Sequence, residues 1–314
     1  MTSCQEAPRV DAIAVRVIGE ALIDIVVSPD GTVREHVGGS PANVAVGLAR
    51  LGHRTELATW IAPDDHGRRI AELLASEGVQ RALGSTGARR TSTAMATLDA
   101  SGTARYRFDL TWDAPPSHGD QRSGVHRHTG SIAATLPPGA DVVLEEIRAT
   151  QPTSTISYDP NIRPALMGSP EQVHSRIETL VALSDVVKAS EEDLSWLYPG
   201  IPPHDVLADW ASMGPAIVVC TQGADAVIVA VGQTQHSYPA RSAEVADTVG
   251  AGDSFMAGLI SGLLDLGLLG GSAARRRLHK AALSDVEPAI SRALACAAVT
   301  VSRPGANPPT RNEI

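Results

Sequence analysis

The chain of 314 residues is 43% hydrophobic and 19% charged, the composition of a globular protein long enough for one large core with a small appendage, and no apolar run reaches membrane-span length. A formal net charge of -9 argues against nucleic acid or a polyanionic membrane as partner, while a small anion can still be held locally. Cys4, Cys220 and Cys296 lie far apart without metal or CxxC spacing, and residues 1–14 lack the basic start and apolar core of a leader, so a cytoplasmic, unprocessed chain with free thiols is expected.

The β-branched run 15–27 reads as a strand leaving a core, broken by Gly19, Glu20 and Asp24. Asp24 is either a satisfied strand-edge acid or a carboxylate that accepts hydrogen bonds from hydroxyls in a cleft. Residues 32–37 alternate like a short exposed strand. The segment Gly38-Gly-Ser-Pro-Ala-Asn43 then opens a helix, with Ser40 as N-cap, Pro41 at its first position and Gly52 just past its end. Asn43 in the first turn is a poor helix former, but it is placed to bond a ligand lying on Gly38 and Gly39. A strand over 55–61 and a helix from a capping Asp65 to about 77, closed by Gly78, set up the alternation of a parallel sheet.

Strands over 92–98 and 104–110 with a turn at 99–102 form a hairpin beside the main sheet. The stretch 113–130, rich in Pro, Ser, Gly and His, reads as a mobile loop whose His118, His126 and His128, with distant His36, make no metal set. Alternation resumes with a helix over 141–150, a strand over 155–159 and a polar turn over 159–164 at the strand's carboxyl end, where open parallel sheets bind ligands. A helix over 169–183 and a strand over 185–188 lead to Ser190-Glu-Glu-Asp193, which caps the next helix. A buried strand over 216–221 ends in Thr221-Gln-Gly223, a hairpin spans 226–238, and the chain closes with a helix over 288–301 and a turn over 302–307.

The centre of the pattern is Asp247-Thr-Val-Gly-Ala-Gly-Asp-Ser-Phe255. Met256, Leu259, Ile260, Leu263 and Leu264 recur at helical spacing, so a helix runs from Ser254 onward with one face in a core. Gly250 and Gly252 let backbone approach a ligand, and the free N–H groups of the helix start make an anion site. Asp253 at that site is either an ordinary cap or a base that takes a proton from an attacking hydroxyl during phosphoryl transfer.

With Gly38-Gly-Ser-Pro-Ala-Asn43 and Asp247-Thr-Val-Gly-Ala-Gly-Asp-Ser-Phe255 in this order, the chain resembles, over nearly its whole length, the ribokinase-like (PfkB-type) carbohydrate kinase family. The resemblance implies an α/β fold, a three-layer α/β/α sandwich with a mostly parallel central sheet, as one domain over 1–314 with a small β lid at about 20–38 and 91–112. It implies ATP-dependent transfer to a primary hydroxyl, assisted by Mg²⁺, with K⁺ as a candidate second cation. Carried over to this sequence, Asp253 is the base and Gly250, Ala251 and Gly252 form the anion hole. Asp24, Gly38, Gly39, Asn43, Arg107 and Arg163 hold the sugar. Lys188, Ser190, Thr221 and Gly223 face the nucleotide phosphates, and Ala306 and Asn307 border the adenine. Asp193 meets Mg²⁺ through water, and Asp247 is the candidate ligand of a monovalent cation.

Two departures stand out: Ser190-Glu-Glu-Asp193 stands where the family often has Asn-x-x-Glu, which bears on the metal, and the lid segment Arg105-Tyr-Arg-Phe-Asp-Leu-Thr-Trp112 lacks the longer version common in fructokinases, which bears on the sugar. Within the family the chain is most similar to bacterial fructokinases, then to 2-keto-3-deoxygluconate kinases, while 3% aromatic residues suit a stacked nucleoside poorly. The alternative of another class is an inactive sugar-binding or regulatory protein on the same fold. The apolar face of the lid, with Ala94, Ala96 and Leu98, leads to the expectation of a homodimer through the lids.

Overall fold

The computed structural model describes residues 14–98, 104–115 and 124–314; Cys4, His118, the turn at 99–102 and the Leu98 side chain lie outside the described parts. In chain order the first strands are β1 (Val15–Ile18), β2 (Leu22–Val27), β3 (Val33–Gly38), β4 (Thr55–Ala58), β5 (Gln80–Arg81), β6 (Thr93–Leu98) and β7 (Ala104–Asp109). Then follow β8 (His126–Gly130), β9 (Ile156–Asp159), β10 (Val186–Ser190), β11 (Ile217–Gln222), β12 (Ala226–Val231) and β13 (Thr234–Pro239). A nine-stranded sheet runs β13-β12-β11-β10-β9-β8-β1-β4-β5, parallel except at β12 and β13, and a four-stranded sheet runs β3-β2-β6-β7. Helices cover both faces of the large sheet. The helices Ser40–Arg50, Ala251–Asp265 and Leu283–Val301 contribute to one apolar core, and Gly139–Thr150, Pro170–Leu183 and Pro203–Met213 to the other. The three-layer sandwich with a β lid expected from the sequence is thus present.

Several local expectations shift. The run 15–27 is two strands in two sheets, because the chain turns at Gly19, where a Cβ would stand 2.2 Å from the Pro41 ring. Gly39, not Ser40, is the N-cap of the helix Ser40–Arg50; its φ of 104 is open to glycine, and a Cβ there would stand 2.5 Å from the Glu20 carbonyl. Asp64 rather than Asp65 caps the next helix, accepting from Gly67 N at 2.8 Å. The helix at the glycine turn starts at Ala251, three residues before Ser254, and the closing helix starts at Leu283 with Pro288 inside it.

The largest correction is in 113–130, where His126–Gly130 is a central strand between β1 and β9 rather than loop. A polar strand is stable there because its groups are satisfied inside the protein. The His126 ring lies 2.9 Å from Thr155 Oγ1 and 2.8 Å from Ser157 Oγ, and His128 Nδ1 lies 2.9 Å from Ser157 Oγ. Burial pushes both imidazoles down to about 3, so they stay neutral.

The lid is covered in part by its own chain. Ile23, Ile25 and Ala96 are buried, and the helix Asp65–Ser76 packs on β2. Val33 and Tyr106 remain 56% and 63% exposed.

Candidate active site

In a parallel sheet the carboxyl ends of the strands gather on one edge, and the crevice opens where the strand order reverses. Here that point is β1, which lies between β4 and β8. Glu20, Ser131 and the segment 159–163 follow the ends of β1, β8 and β9, and Ser190 and Thr221 are paired across the ends of β10 and β11. The helix Ala251–Asp265 starts from Gly250, whose left-handed φ of 76 turns the chain, and a Cβ on Gly250 would stand 2.6 Å from Ala306. Ala306 thus packs directly against the glycine turn.

Asp253 lies in the first turn of this helix and is 8% exposed. Ser40 Oγ donates to its Oδ1 at 2.6 Å and Asn43 Nδ2 donates to its Oδ2 at 2.8 Å. The two sequence motifs thus meet in one carboxylate, which is held by hydrogen bonds from the start of the other helix.

Behind the turn, Lys188 Nζ lies 3.0 Å from Asp159 Oδ2, with both side chains buried. Burial pushes the Asp159 carboxyl up to about 6, with Lys188 opposing and Asp193 adding to the rise. Asp193 accepts from Ile162 N at 2.7 Å on Oδ1 and from Ser190 N at 2.8 Å on Oδ2, while Ser190 Oγ accepts from Asp193 N at 3.1 Å. The capping box read from the sequence is present, and it ties the start of the helix Glu191–Leu197 to the turn after β9. One N–H on each oxygen leaves each a further lone pair to accept from water or a ligand. Among the described residues no group of three or more His, Cys, Asp or Glu is arranged to hold a metal.

On the lid side, Asp24 is half-buried, and its Oδ2 occupies the place a Gly38 Cβ would need, at 2.0 Å. Burial raises its pKa, opposed by the charges of Arg163 and His36. Glu20 has a part that the sequence did not assign. It is 5% exposed, accepts from Ala133 N at 3.2 Å, and is pushed by burial up to about 7, with Ser131 and Arg163 opposing. Its position just after Gly19 at the end of β1 was the signal available.

Other expected residues separate. Arg107 is exposed on β7 opposite Met95, and no described contact joins it to Asp24, Asn43 or Asp253. Asn307 Oδ1 accepts from Arg50 Nη1 at 2.6 Å, and the same nitrogen donates to the Pro308 carbonyl at 2.6 Å, so this amide anchors the closing loop. Asp247 accepts from Val249 N at 3.0 Å and Gly305 N at 2.8 Å, bonds that hold its pKa down and fasten the loop before the anion turn to the 302–307 turn. Thr221 is half-buried and Gly223 is exposed with φ 55. Two surface clefts, of about 430 Å³ beside His174 and Leu197 and about 320 Å³ beside Trp60 and Trp112, contain none of these residues.

The family model described as pfkB family carbohydrate kinase matches residues 12–313. The chain belongs to the pfkB family of carbohydrate kinases. It is 33% identical over 268 residues to a fructokinase of Klebsiella pneumoniae, covering 80% of this chain and 85% of that one. With a fructokinase of Escherichia coli it shares 32% over 304 residues, 92% and 94% of the two chains. The crystal structure of a Xylella fastidiosa fructokinase with bound ATP superposes with a TM-score of 0.81 at 26% identity, covering 95% and 96%. A fructokinase double mutant of Vibrio cholerae O395, in fructose, ADP and potassium ion bound form, superposes at 0.75 with 26% identity and 94% of each chain. No described helix is long and apolar enough to cross a membrane.

Proposed function

We propose that this protein is a cytoplasmic ATP-dependent fructokinase that transfers the γ-phosphoryl group to the primary hydroxyl of D-fructose, giving fructose 6-phosphate. The observation that carries the reading is the Asp253 carboxylate, held by Ser40 and Asn43 in the first turn of the helix that starts from the Gly250 turn. The acceptor hydroxyl approaches Asp253, displaces or shares one of its two hydrogen bonds and passes its proton there, while the first free N–H groups of the helix, those of Gly252 and Asp253, receive the charge on the transferred group. Mg²⁺, when bound, would supply charge neutralisation on the nucleotide phosphates, and Asp193, in the first turn of the helix that follows β10, would hold it through water. A monovalent cation beside the Asp247 loop belongs to the same reading.

Fructose is favoured by the named relatives and by the charges at the acceptor side. Asp24 and Glu20 both oppose the Arg163 charge there, which suits a neutral polyol. The exposed Arg163 guanidinium is the one feature that favours an acid such as 2-keto-3-deoxygluconate. A coupled assay of ADP formation with ATP and Mg²⁺ on fructose, 2-keto-3-deoxygluconate, ribose and nucleosides tests the reading. Fructose should give the highest kcat/KM; a preference for the acid sugar would replace this substrate, and no turnover on any sugar would leave an inactive binding protein. The exposed Val33 and Tyr106 of the lid support pairing of two copies through their lids.

A further inference from the structure

The helix Ser40–Arg50 starts with the residues that hold Asp253 and ends with an arginine whose fork is filled from two sides. Arg50 Nε donates to Glu77 Oε2 at 2.8 Å and Nη2 to Glu77 Oε1 at 2.7 Å, while Nη1 donates to Asn307 Oδ1 and to the Pro308 carbonyl, both at 2.6 Å. The pair is partly buried, and the hydrogen bonds from Arg50 hold the Glu77 carboxyl below its usual range. Side-on pairing of this kind fixes the plane of the guanidinium, so Glu77 aims the remaining nitrogen at the closing loop. That loop has little else to keep it in place. Pro304, Pro308 and Pro309 have no N–H to give, and the described backbone donors are Asn307 N to Gly305 O at 2.9 Å and Gly305 N to Asp247 Oδ2 at 2.8 Å. Yet the loop packs on both helices that meet at Asp253. Ala306 Cβ lies 2.6 Å from the place a Gly250 Cβ would take, and Pro308 Cβ lies 3.6 Å from that of Gly47, which itself would stand 2.7 Å from Ala257 of the helix Ala251–Asp265.

We propose that Arg50 is a positioning residue of the phosphoryl transfer: aimed by Glu77, it holds Asn307 and Pro308 and through them keeps Ala306 packed against Gly250, so that the N–H groups of Gly252 and Asp253 stay where charge on the transferred group develops. This rests on the kinase reading above. Gly250, in its left-handed conformation, is the joint that aims those N–H groups. A glycine has no side chain to limit such a joint, so the neighbour packed on it does the limiting. Arg50 stands ten residues beyond Ser40, about 15 Å along the helix, and acts on the turn through the loop rather than by its own charge. Misplacement of the N–H groups by a fraction of an ångström weakens them most in the transition state, where their alignment counts. A purely structural Arg50 would instead fasten the closing segment to the body, with a cost to stability and none to turnover.

The experiment compares Arg50→Met, Arg50→Lys and Glu77→Gln with the parent on its best sugar, each well below its melting temperature. Arg50→Met should lower kcat by roughly tenfold while sugar affinity by calorimetry stays close to the parent's, because the turn is displaced and the acceptor side is not. Arg50→Lys, which keeps the charge but offers Glu77 no fork, should recover part of the loss, and Glu77→Gln should show a smaller loss in the same direction. Hydrogen exchange followed by mass spectrometry gives a readout that does not need turnover. In Arg50→Met the bonded amides of Ala251, Ser254 and Asn307 should exchange roughly tenfold faster, while the helix Gly139–Thr150 in the other core keeps the parent's rates. Parent-like kcat in a folded Arg50→Met variant, or unchanged exchange at Ala251 and Ser254, overturns the proposal. If Arg50→Met does not fold, parent-like kcat in both Arg50→Lys and Glu77→Gln overturns it. An active parent with such results refutes the part given to Arg50 alone, whereas a parent inactive on every sugar refutes the kinase reading and this inference together.

Discussion

Ser40 Oγ donates to Asp253 Oδ1 at 2.6 Å across 213 residues of sequence. With Asn43 Nδ2 on the other oxygen at 2.8 Å, the contact locks the starts of two helices together and fixes the direction in which the carboxylate can receive a proton. A base with one orientation has a narrow set of acceptor positions, and small changes around it should appear in turnover before they appear in binding.

Asp253→Asn keeps the shape and loses the proton acceptor. We expect kcat to fall by roughly 10²-fold or more, with sugar and ATP affinities by calorimetry close to those of the parent. If turnover stays at the parent's level, Asp253 is only a helix-start residue.

Ser40→Ala removes one of the two donors and leaves a buried carboxylate oxygen short of a partner. Stability should drop by about 1–3 kcal/mol, and kcat by roughly tenfold, both measured on the same preparation. A variant that loses stability but no activity would make the contact one of folding alone.

Asp24→Ala should raise KM for the sugar by roughly 10-fold or more, with KM for ATP nearly unchanged, because a charged acceptor of sugar hydroxyls is lost. Burial raises the Asp24 pKa, so sugar KM should also climb as pH falls, starting at higher pH than for an ordinary aspartate. Equal effects on both substrates would assign Asp24 to folding.

Glu20→Gln tests the buried acid at the end of β1. Its carboxyl goes from 4.5 in the unfolded chain to about 7 when folded, so between these values the folded state holds the proton that the unfolded state has released. Stability from this group is therefore present below about 4.5 and is lost as pH rises through about 7, by on the order of 3 kcal/mol. The glutamine variant should be the more stable protein at pH 8, and its melting temperature should vary less between pH 5 and 8; an unchanged pH profile would show that Glu20 does not titrate there.

Light scattering tests the lid pairing. A parent of twice 32.7 kDa that becomes monomeric in Tyr106→Asp supports it, and a monomeric parent at micromolar concentration ends it.

The two glycine-bearing motifs were legible because their information is local. A glycine-rich turn running into a helix presents the helix's first N–H groups at the turn by local geometry alone, and the repeated change from strand to helix period announces a parallel sheet whose strand ends share an edge. The apolar spacing of Met256, Leu259, Ile260 and Leu263 asked for one face in a core; all four are buried, but so is every residue from 253 to 263, because the helices Ser40–Arg50 and Leu283–Val301 pack against this helix as well.

What depended on distant partners was not legible. Ser40 has the position of an N-cap, yet Gly39 takes that place and the hydroxyl serves Asp253 from the other end of the chain. His126 and His128 read as loop because a strand of polar residues looks unburiable until Thr155 and Ser157 on the far side supply the hydrogen bonds. Gly252 read as room for a ligand, and only the fold placed the Lys188 ammonium against it. Periodicity and turn chemistry act over a few residues and so belong to the sequence, whereas the satisfaction of a buried polar group is a property of whichever strand or helix packs beside it, and that is decided by the tertiary structure.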